Sequence, residues 1–269
     1  MFRITEVVKY LLIINVALFI IGAINLFDTS SLALYYFKSP EFRPWQVVTH
    51  FFMHAGTMHL FFNMFALVMF GSALETRWGP KRFLFFYIFC ALGAAALHTG
   101  YNYFDLNRQE KAIVSYEESP SFDGAFLYVK RFAPKYLKRQ YISAKEYLED
   151  VADKIDDGDP RYIEEGKKVM LDIYQYNRDI PTVGASGAIY GLLLAFGMMF
   201  PNAELMLLFL PIPIKAKYFI PLLMVGELFL GVNQFSWDNI AHFAHLGGAL
   251  FGLILILYWQ KYGSRLGGV

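Results

Sequence analysis

Long apolar segments alternate with short polar connectors along most of this chain. A membrane-spanning helix needs about 20 predominantly apolar residues, with a lower limit of about 17, and short spans can be shielded by neighbours in a bundle. A further apolar run, Leu205–Ile214, contains Pro211 and Pro213 and predicts an interfacial connector. The pattern therefore predicts an all-α integral membrane protein, a six-transmembrane-helix bundle. Its spans are Val7–Phe27, Met58–Leu74, Phe83–Leu97, Ala185–Phe200, Phe219–Val232 and Ile240–Trp259.

Basic residues form four clusters that all fall on one side of a six-span bundle. Because Lys and Arg are enriched in cytoplasmic loops, both termini are predicted to be cytoplasmic, in a cell (inner) membrane. The opposite side receives the Asp28–Thr57 loop, a long insertion and the Asn233–Asn239 turn. The clusters are Arg3 with Lys9, Arg77 with Lys81 and Arg82, Lys215 with Lys217, and Lys261 with Arg265.

The charged residues are concentrated in the insertion. Of 24 Lys+Arg and 23 Asp+Glu, 13 and 16 lie between Tyr101 and Ile180. We expect residues 100–180 to be a partly helical, extracytoplasmic soluble subdomain, and residues 1–99 and 181–269 to form the membrane domain. Apolar residues at helical spacing predict two helices in Tyr136–Asn177, broken at residues 156–160. They are Tyr147, Val151 and Ile155, then Val169, Ile173 and Tyr176.

Metal and disulfide chemistry have little support in the sequence. The single cysteine, Cys90, lies in an apolar run, so neither an internal disulfide nor a cysteine-based zinc site is expected. His50 and His54 are four apart, but no H-E-x-x-H sequence accompanies them, and we predict no metal site. The first apolar run is too long for the core of a cleavable signal peptide.

The most unusual polar residue is Ser186, which follows Gly184 and Ala185 at the start of the fourth predicted span. A hydroxyl at such a place is expected to bond to its own helix, to line a cavity or to perform chemistry. With the predicted topology, His59 and Asn63 of span two and His245 of span six lie near the same leaflet as Ser186. Taken singly, each has an ordinary structural explanation, whereas their common depth favours a site.

Small residues predict how these spans pack. Gly187 with Gly191, and Gly248 with Gly252, form G-x-x-x-G pairs that allow close approach of two transmembrane helices. Packing of spans four and six through these glycines brings His245 within reach of Ser186, as a serine nucleophile and its base require.

The other polar groups complete the predicted site. Candidate oxyanion donors are the Ser186 backbone N–H, the Asn63 amide and the His59 ring. Tyr190 is a candidate to orient His245. No acid is expected to complete a triad, because Glu227 is assigned to the outer end of span five, where it can snorkel or pair, and Asp238 to a turn. His242 is predicted to be interfacial or to support His245.

At these residues the chain resembles the rhomboid family of intramembrane serine proteases. The matching segments are His54–Met64, with its H-x-x-x-N pattern, Gly71–Gly79 with Glu75 and Arg77, Gly184–Gly187 with its G-x-S-G pattern, and Ala244–Gly252. The resemblance covers Met1–Thr99 and Pro181–Val269, and leaves out the insertion. Trp45-Gln46 stands where many members have Trp-Arg.

The resemblance implies a catalytic dyad of Ser186 and His245, an oxyanion hole that includes His59 and Asn63, and stacking of Tyr190 on His245. It implies single-pass transmembrane protein substrates cleaved near the outer face, no cofactor and no nucleic-acid partner. Span five and the Asn233–Asn239 turn would correspond to the substrate gate and cap. The insertion is expected to contact substrate or a regulatory partner. Two alternatives stay open at this stage, a non-catalytic membrane binding protein or chaperone and, with less support, a transporter.

Overall fold

The structure is a computed structural model that describes residues 3–26, 28–134, 154–155, 157–207, 210–233 and 240–262. Eight helices longer than one turn and one hairpin occur within these ranges. They are α1 (Glu6–Ala23), α2 (Thr57–Trp78, which includes a π-helical turn at Leu67–Gly71), α3 (Pro80–Glu118), α4 (Phe122–Phe132), α5 (Pro160–Arg178), α6 (Ser186–Met199), β1 (Glu204–Leu207), β2 (Leu210–Lys215), α7 (Ala216–Asn233) and α8 (His242–Tyr262).

Five of these helices, α1, α2, α3, α7 and α8, are long and apolar enough to cross a membrane. The remaining predicted span, Ala185–Phe200, the fourth along the chain, corresponds to α6, which is apolar but has only 14 residues. The chain is therefore a mostly helical, multi-pass membrane protein. Phe27, the predicted end of the first span, and most of the Asn233–Asn239 turn lie outside the described residues.

The segment predicted as a connector forms an antiparallel hairpin, β1–β2, in which Glu204 pairs with Lys215 and Leu205 with Ile214. The two closely spaced prolines at positions 211 and 213 strongly disfavour a helix here, since each lacks the amide hydrogen that a helix interior needs. A two-stranded hairpin has only edge strands, where proline is tolerated. This small sheet is an addition to the all-α architecture expected from the sequence.

Helix α3 continues through the predicted start of the insertion at residue 100 and ends only at Glu118. With 39 residues it is about 58 Å long at 1.5 Å per residue, nearly twice the thickness of a bilayer core of about 30 Å. Its last part packs with α4 and α5 around a separate hydrophobic cluster. That cluster contains Ile113, Tyr116, Tyr128, Val129, Ala133, Met170 and Ile173.

The insertion helices are only partly those expected. The predicted periodicity at Val169, Ile173 and Tyr176 falls in α5, where the side chain of Asp159 caps the first turn. Gly158 precedes it with a φ of 80°, a left-handed conformation that glycine adopts without a steric penalty. Tyr147 and Val151 lie outside the described residues. Helix α4 was not predicted, and its N-terminus is capped by Ser121.

Helices α6 and α8 meet through the predicted glycines. A Cβ atom built on Gly248 would overlap the carbonyl group of Gly187, and one on Gly252 would lie 3.2 Å from the Cα of Gly191. The two backbones can approach this closely only because side chains are absent. This contact fixes the start of α6 against the start of α8, which carry Ser186 and His245.

Candidate active site

The segment that presents Ser186 is tied to the loop between α1 and α2. Leu34 and Thr182 exchange two backbone hydrogen bonds, of 2.9 and 2.8 Å, and the Gly184 N–H donates to the carbonyl of His50 over 2.9 Å. Gly184 has a φ of 123°, which an L-residue rarely adopts. Glycine at this position therefore lets the chain turn sharply into α6, which begins at Ser186.

Ser186 and His245 form the contact that a nucleophile and its base require. The Ser186 Oγ and the His245 Nε2 are 2.9 Å apart, a normal hydrogen-bond distance. The Tyr190 ring, one turn along α6, stacks on the His245 imidazole with 4.0 Å between centroids and 8° between planes. This packing fixes the plane of the imidazole, as the sequence had suggested for Tyr190.

The sequence-based expectation that no acid reaches His245 is wrong. Glu227 of α7 is 7% exposed, and its Oε2 lies 3.0 Å from the His245 Nδ1. The error arose because the sequence pattern placed Glu227 too close to the end of its span. Glu227 lies six residues before the end of α7, far enough inside the span to face the first turn of α8. The available signal was the carboxylate itself, since an ionisable residue within an apolar span commonly has a functional partner.

His242 is buried beside the same carboxylate, as one of the two roles considered for it, support of the site, would require. It is 6% exposed, and its Nδ1 lies 2.6 Å from Glu227 Oε2. The second carboxylate oxygen of Glu227 accepts a short hydrogen bond from the Tyr190 hydroxyl. The carboxylate thus accepts hydrogen bonds from three side chains on two other helices, which offsets the cost of burying its charge.

His59 lies against the turn at Gly184. A Cβ atom added to Gly184 would be 2.9 Å from the His59 Nε2 and 3.6 Å from the Ser186 Oγ, so both side chains border the same small space. The other ring nitrogen, Nδ1, accepts from the Ala55 backbone N–H at 3.4 Å. In a neutral imidazole the nitrogen that does not accept carries the proton. The Nε2–H of His59 is therefore a donor on the Ser186 side of the ring.

Asn63 is 5% exposed and donates one amide hydrogen to the carbonyl of His59 over 2.9 Å. A side-chain amide has two hydrogens, so this bond within α2 leaves a second for another acceptor. The oxyanion roles of His59, Asn63 and the Ser186 backbone N–H remain predictions.

The histidines before α2 serve the scaffold. His50 Nδ1 lies 2.7 Å from the carbonyl of Gln46, and the His54 ring meets the His59 ring edge to face at a centroid distance of 5.0 Å. Burial lowers the pKa of His50 and of His54 to about 4. Both rings are therefore neutral near pH 7; His50 supplies a hydrogen bond and His54 supplies packing.

Gln46, at the position where the resemblance leads one to expect arginine, is fully buried. Its Oε1 accepts from the Arg43 N–H at 3.0 Å, and its Nε2 donates to the carbonyls of Ser31 and Glu41 at 3.2 and 2.9 Å. This neutral amide therefore joins three parts of the loop that holds Gly184.

One cluster in the described part of the chain has the composition of a metal site. The ligand atoms of Glu227, His242 and His245 lie within 4.8 Å of one another. The same atoms are already joined by the two histidine–carboxylate hydrogen bonds, and His245 uses its remaining nitrogen for Ser186. This arrangement fits proton transfer better than metal ligation.

The chain matches the family model described as Rhomboid domain over residues 41–105 and 167–262. It is 26% identical over 228 residues to an uncharacterized mitochondrial rhomboid protein of Schizosaccharomyces pombe, covering 82% of this chain and 52% of that protein. It is 32% identical over 81 residues to mitochondrial rhomboid protein 1 of Saccharomyces cerevisiae, covering 30% of this chain and 23% of that protein.

A shorter match, 36% identical over 53 residues, is to the mitochondrial RHOMBOID-like protein 6 of Arabidopsis thaliana, and covers 20% of this chain and 17% of that protein. The chain thus spans about half the length, or less, of the curated relatives it matches. All three names say mitochondrial, which does not fit the cell inner membrane expected from the sequence.

Proposed function

Since the chain belongs to the rhomboid family, whose members are generally intramembrane serine proteases, we propose that it is an active serine endopeptidase. Its substrates are single-pass transmembrane proteins, cleaved near the outer membrane face. The observation that carries the proposal is the 2.9 Å hydrogen bond between Ser186 Oγ and His245 Nε2. A non-catalytic member of the same fold would have no need of this pair.

The reaction uses His245 as general base and then as general acid. His245 Nε2 takes the Ser186 proton while Oγ bonds to the scissile carbonyl carbon, and the carbonyl π electrons move onto oxygen. The N–H donors of His59, Asn63 and the Ser186 backbone stabilise this oxyanion. The proton then passes from Nε2 to the leaving amine nitrogen as the C–N bond breaks. Water hydrolyses the acyl-enzyme by the same route.

We also propose a six-span arrangement in which α6 is the short central span and both termini lie on one side. The four basic clusters support this orientation through the enrichment of Lys and Arg on one side of membranes. Residues 100–180 then lie on the opposite side, together with the start of α6. Fractionation of the source cells decides between a cell membrane and a mitochondrial membrane.

The insertion is proposed to contact substrate or a regulatory partner and to stay outside the chemistry. Its support is its attachment to the loop before α2. Lys38 of that loop forms an ion pair with Glu110 of α3, with 2.9 Å between nitrogen and oxygen, and Phe37 stacks on Tyr103. These contacts lie on the side of the bundle where Ser186 begins α6.

A fluorophosphonate carrying a fluorophore tests the proposed activity, because it reacts covalently only with an activated serine. Wild-type protein in detergent should be labelled at Ser186, as located by peptide mass spectrometry, and Ser186→Ala should not. His245→Ala should abolish labelling, while His242→Ala should reduce it less. Equal labelling of wild type and Ser186→Ala would refute the proposal, and the reverse order of the two histidine variants would reject His245 as the base.

A further inference from the structure

The two nitrogens of the His245 imidazole have different hydrogen-bond partners, and these partners determine which nitrogen carries the proton. Nε2 lies 2.9 Å from Ser186 Oγ, and Nδ1 lies 3.0 Å from Glu227 Oε2. An ionised carboxylate can only accept hydrogen bonds, so Nδ1 must carry a proton. A neutral His245 then has its lone pair on Nε2, the form that can accept the Ser186 proton.

The surroundings of Glu227 hold its carboxylate in this position. Most of α7 is exposed to the membrane side, and its inward-facing residues are Ala216, Ile220, Glu227 and Gly231. A Cβ on Gly231 would lie 2.9 Å from the Cβ of His242, so the absence of a side chain lets α7 approach the start of α8. Glu227 is therefore carried into the site by a helix that bears neither the nucleophile nor the base.

Three side chains fix the orientation of the carboxylate. His242 and His245 share Oε2, and the Tyr190 hydroxyl donates to Oε1. Tyr190 also stacks on the His245 ring, so a single residue aligns both the acid and the base. A carboxylate held by three donors needs little reorganisation when charge appears on the imidazole beside it.

We propose that Glu227 is a positioning residue that extends the Ser186–His245 pair to a serine–histidine–glutamate triad. The proposal rests on the proposed protease function. Glu227 holds the His245 Nδ1–H tautomer and stabilises the imidazolium that forms when Nε2 takes the Ser186 proton. That proton later passes to the leaving amine, and the Nδ1 proton stays on His245 throughout. His242 is the second donor that keeps Oε2 aligned.

The test compares Glu227→Gln with Glu227→Asp in full-length protein in detergent. The fluorophosphonate labelling of Ser186 is resolved into its maximal rate and its half-saturating concentration. Glutamine keeps the shape but removes the negative charge, and its amide can present a donor to Nδ1, which favours the wrong tautomer. Replacement of the triad carboxylate by its amide in a serine protease costs about 10⁴-fold in rate, so we expect the maximal rate to fall by up to this factor with little change in half-saturation.

Glu227→Asp retains the charge and is expected to be at least about tenfold faster than Glu227→Gln. Tyr190→Phe removes only the hydroxyl bond to Oε1 and keeps the stacked ring, so its loss should be smaller than that of Glu227→Gln. Glu204→Gln, an exposed residue of β1, is the matched control and should be labelled at the wild-type rate. Thermal unfolding of each variant shows that it is folded.

Equal maximal rates for wild type and a folded Glu227→Gln would overturn the triad while leaving the protease function intact. If Glu227→Asp, which shortens the side chain, were slower than the isosteric Glu227→Gln, the contribution of Glu227 would be shape and not charge, and the triad would be overturned. Labelling of wild type in EDTA should match labelling without it. Loss of labelling in EDTA, restored by ZnCl₂, would show that the cluster binds a metal ion and would also overturn the proposal. Absence of Ser186 labelling in wild type would instead refute the proposed function.

Discussion

Replacement of Gly248 by alanine tests the geometry on which the whole site depends, without altering any reactive side chain. A Cβ at this position would overlap the Gly187 carbonyl group. The clash is with backbone, which cannot rotate away, so α6 and α8 must separate. The Ser186 Oγ and the His245 Nε2, now 2.9 Å apart, are carried on these two helices and must move with them.

The size of the effect follows from the overlap. Restoring ordinary contact needs a separation on the order of 1 Å, and a misplacement of about 1 Å at a reacting pair can cost about 100-fold in rate. Overpacking a well-packed site costs about 1–3 kcal/mol of unfolding free energy. We therefore expect Gly248→Ala to be labelled at Ser186 about 100-fold more slowly and to unfold a few degrees lower.

The assay is the rate of fluorophosphonate labelling together with thermal unfolding in the same detergent. Gly100→Ala is the matched control, since no heavy atom lies within 4 Å of a Cβ at that position of α3. Alanine is favoured over glycine in a helix interior by about 0.5–1 kcal/mol, so this control should be as stable as wild type or slightly more so. If Gly248→Ala were labelled at the wild-type rate and unfolded at the wild-type temperature, the packing argument would be refuted.

Three further predictions concern the scaffold around the site. Gln46→Ala removes the hydrogen bonds that the buried Gln46 side chain makes to the backbone of Ser31, Glu41 and Arg43, and leaves a cavity, so it should lower the unfolding temperature and slow Ser186 labelling; unchanged values for both would contradict the role given to Gln46. Arg161 and its backbone amide lower the pKa of Asp159 to about 2, so the capping contribution is complete above the ordinary value of about 4 and is lost as pH falls towards 2; the hydrogen-exchange protection factors in the first turn of α5, which are corrected for the intrinsic exchange rate at each pH, should fall over that range in wild type and vary less in Asp159→Asn. Deletion of Asn102–Arg178 with a short linker should leave labelling intact while changing cleavage of natural substrates, and lost labelling in a folded deletion protein would show that the insertion helps to build the site.

The apolar pattern was sufficient to predict the five helices that are long enough to cross a membrane, and the glycine spacing was sufficient to predict one close helix contact. Apolar runs identify segments that can be buried or lie in lipid, and G-x-x-x-G spacing identifies surfaces where two backbones can meet. The contact of Gly248 with Gly187 follows from these two rules. The length of α3 did not follow, because its last half turns from membrane-like to polar composition without a proline that would end the helix before Glu118.

Glu227 shows why the site could be predicted only in part. Residues on one helix have a relation set by their spacing, which is why Tyr190 could be connected with Ser186. The relation of α7 to α8 depends on the rotation of one helix against another, and sequence spacing does not contain this rotation. Gly231 permits the approach and Tyr190 and His242 select the rotamer, so the carboxylate position is a property of packing.

The proposed function depends on cleavage of a substrate's peptide bond by Ser186 within the membrane. Its most direct test is a reconstitution of the full-length chain into liposomes with a panel of single-pass transmembrane reporter proteins, and mapping of any cleavage products by mass spectrometry. Wild-type protein should cleave a reporter near the outer end of its transmembrane segment, and Ser186→Ala should not. Cleavage that persists in Ser186→Ala, or no cleavage of any reporter by folded wild-type protein, would contradict the proposed function.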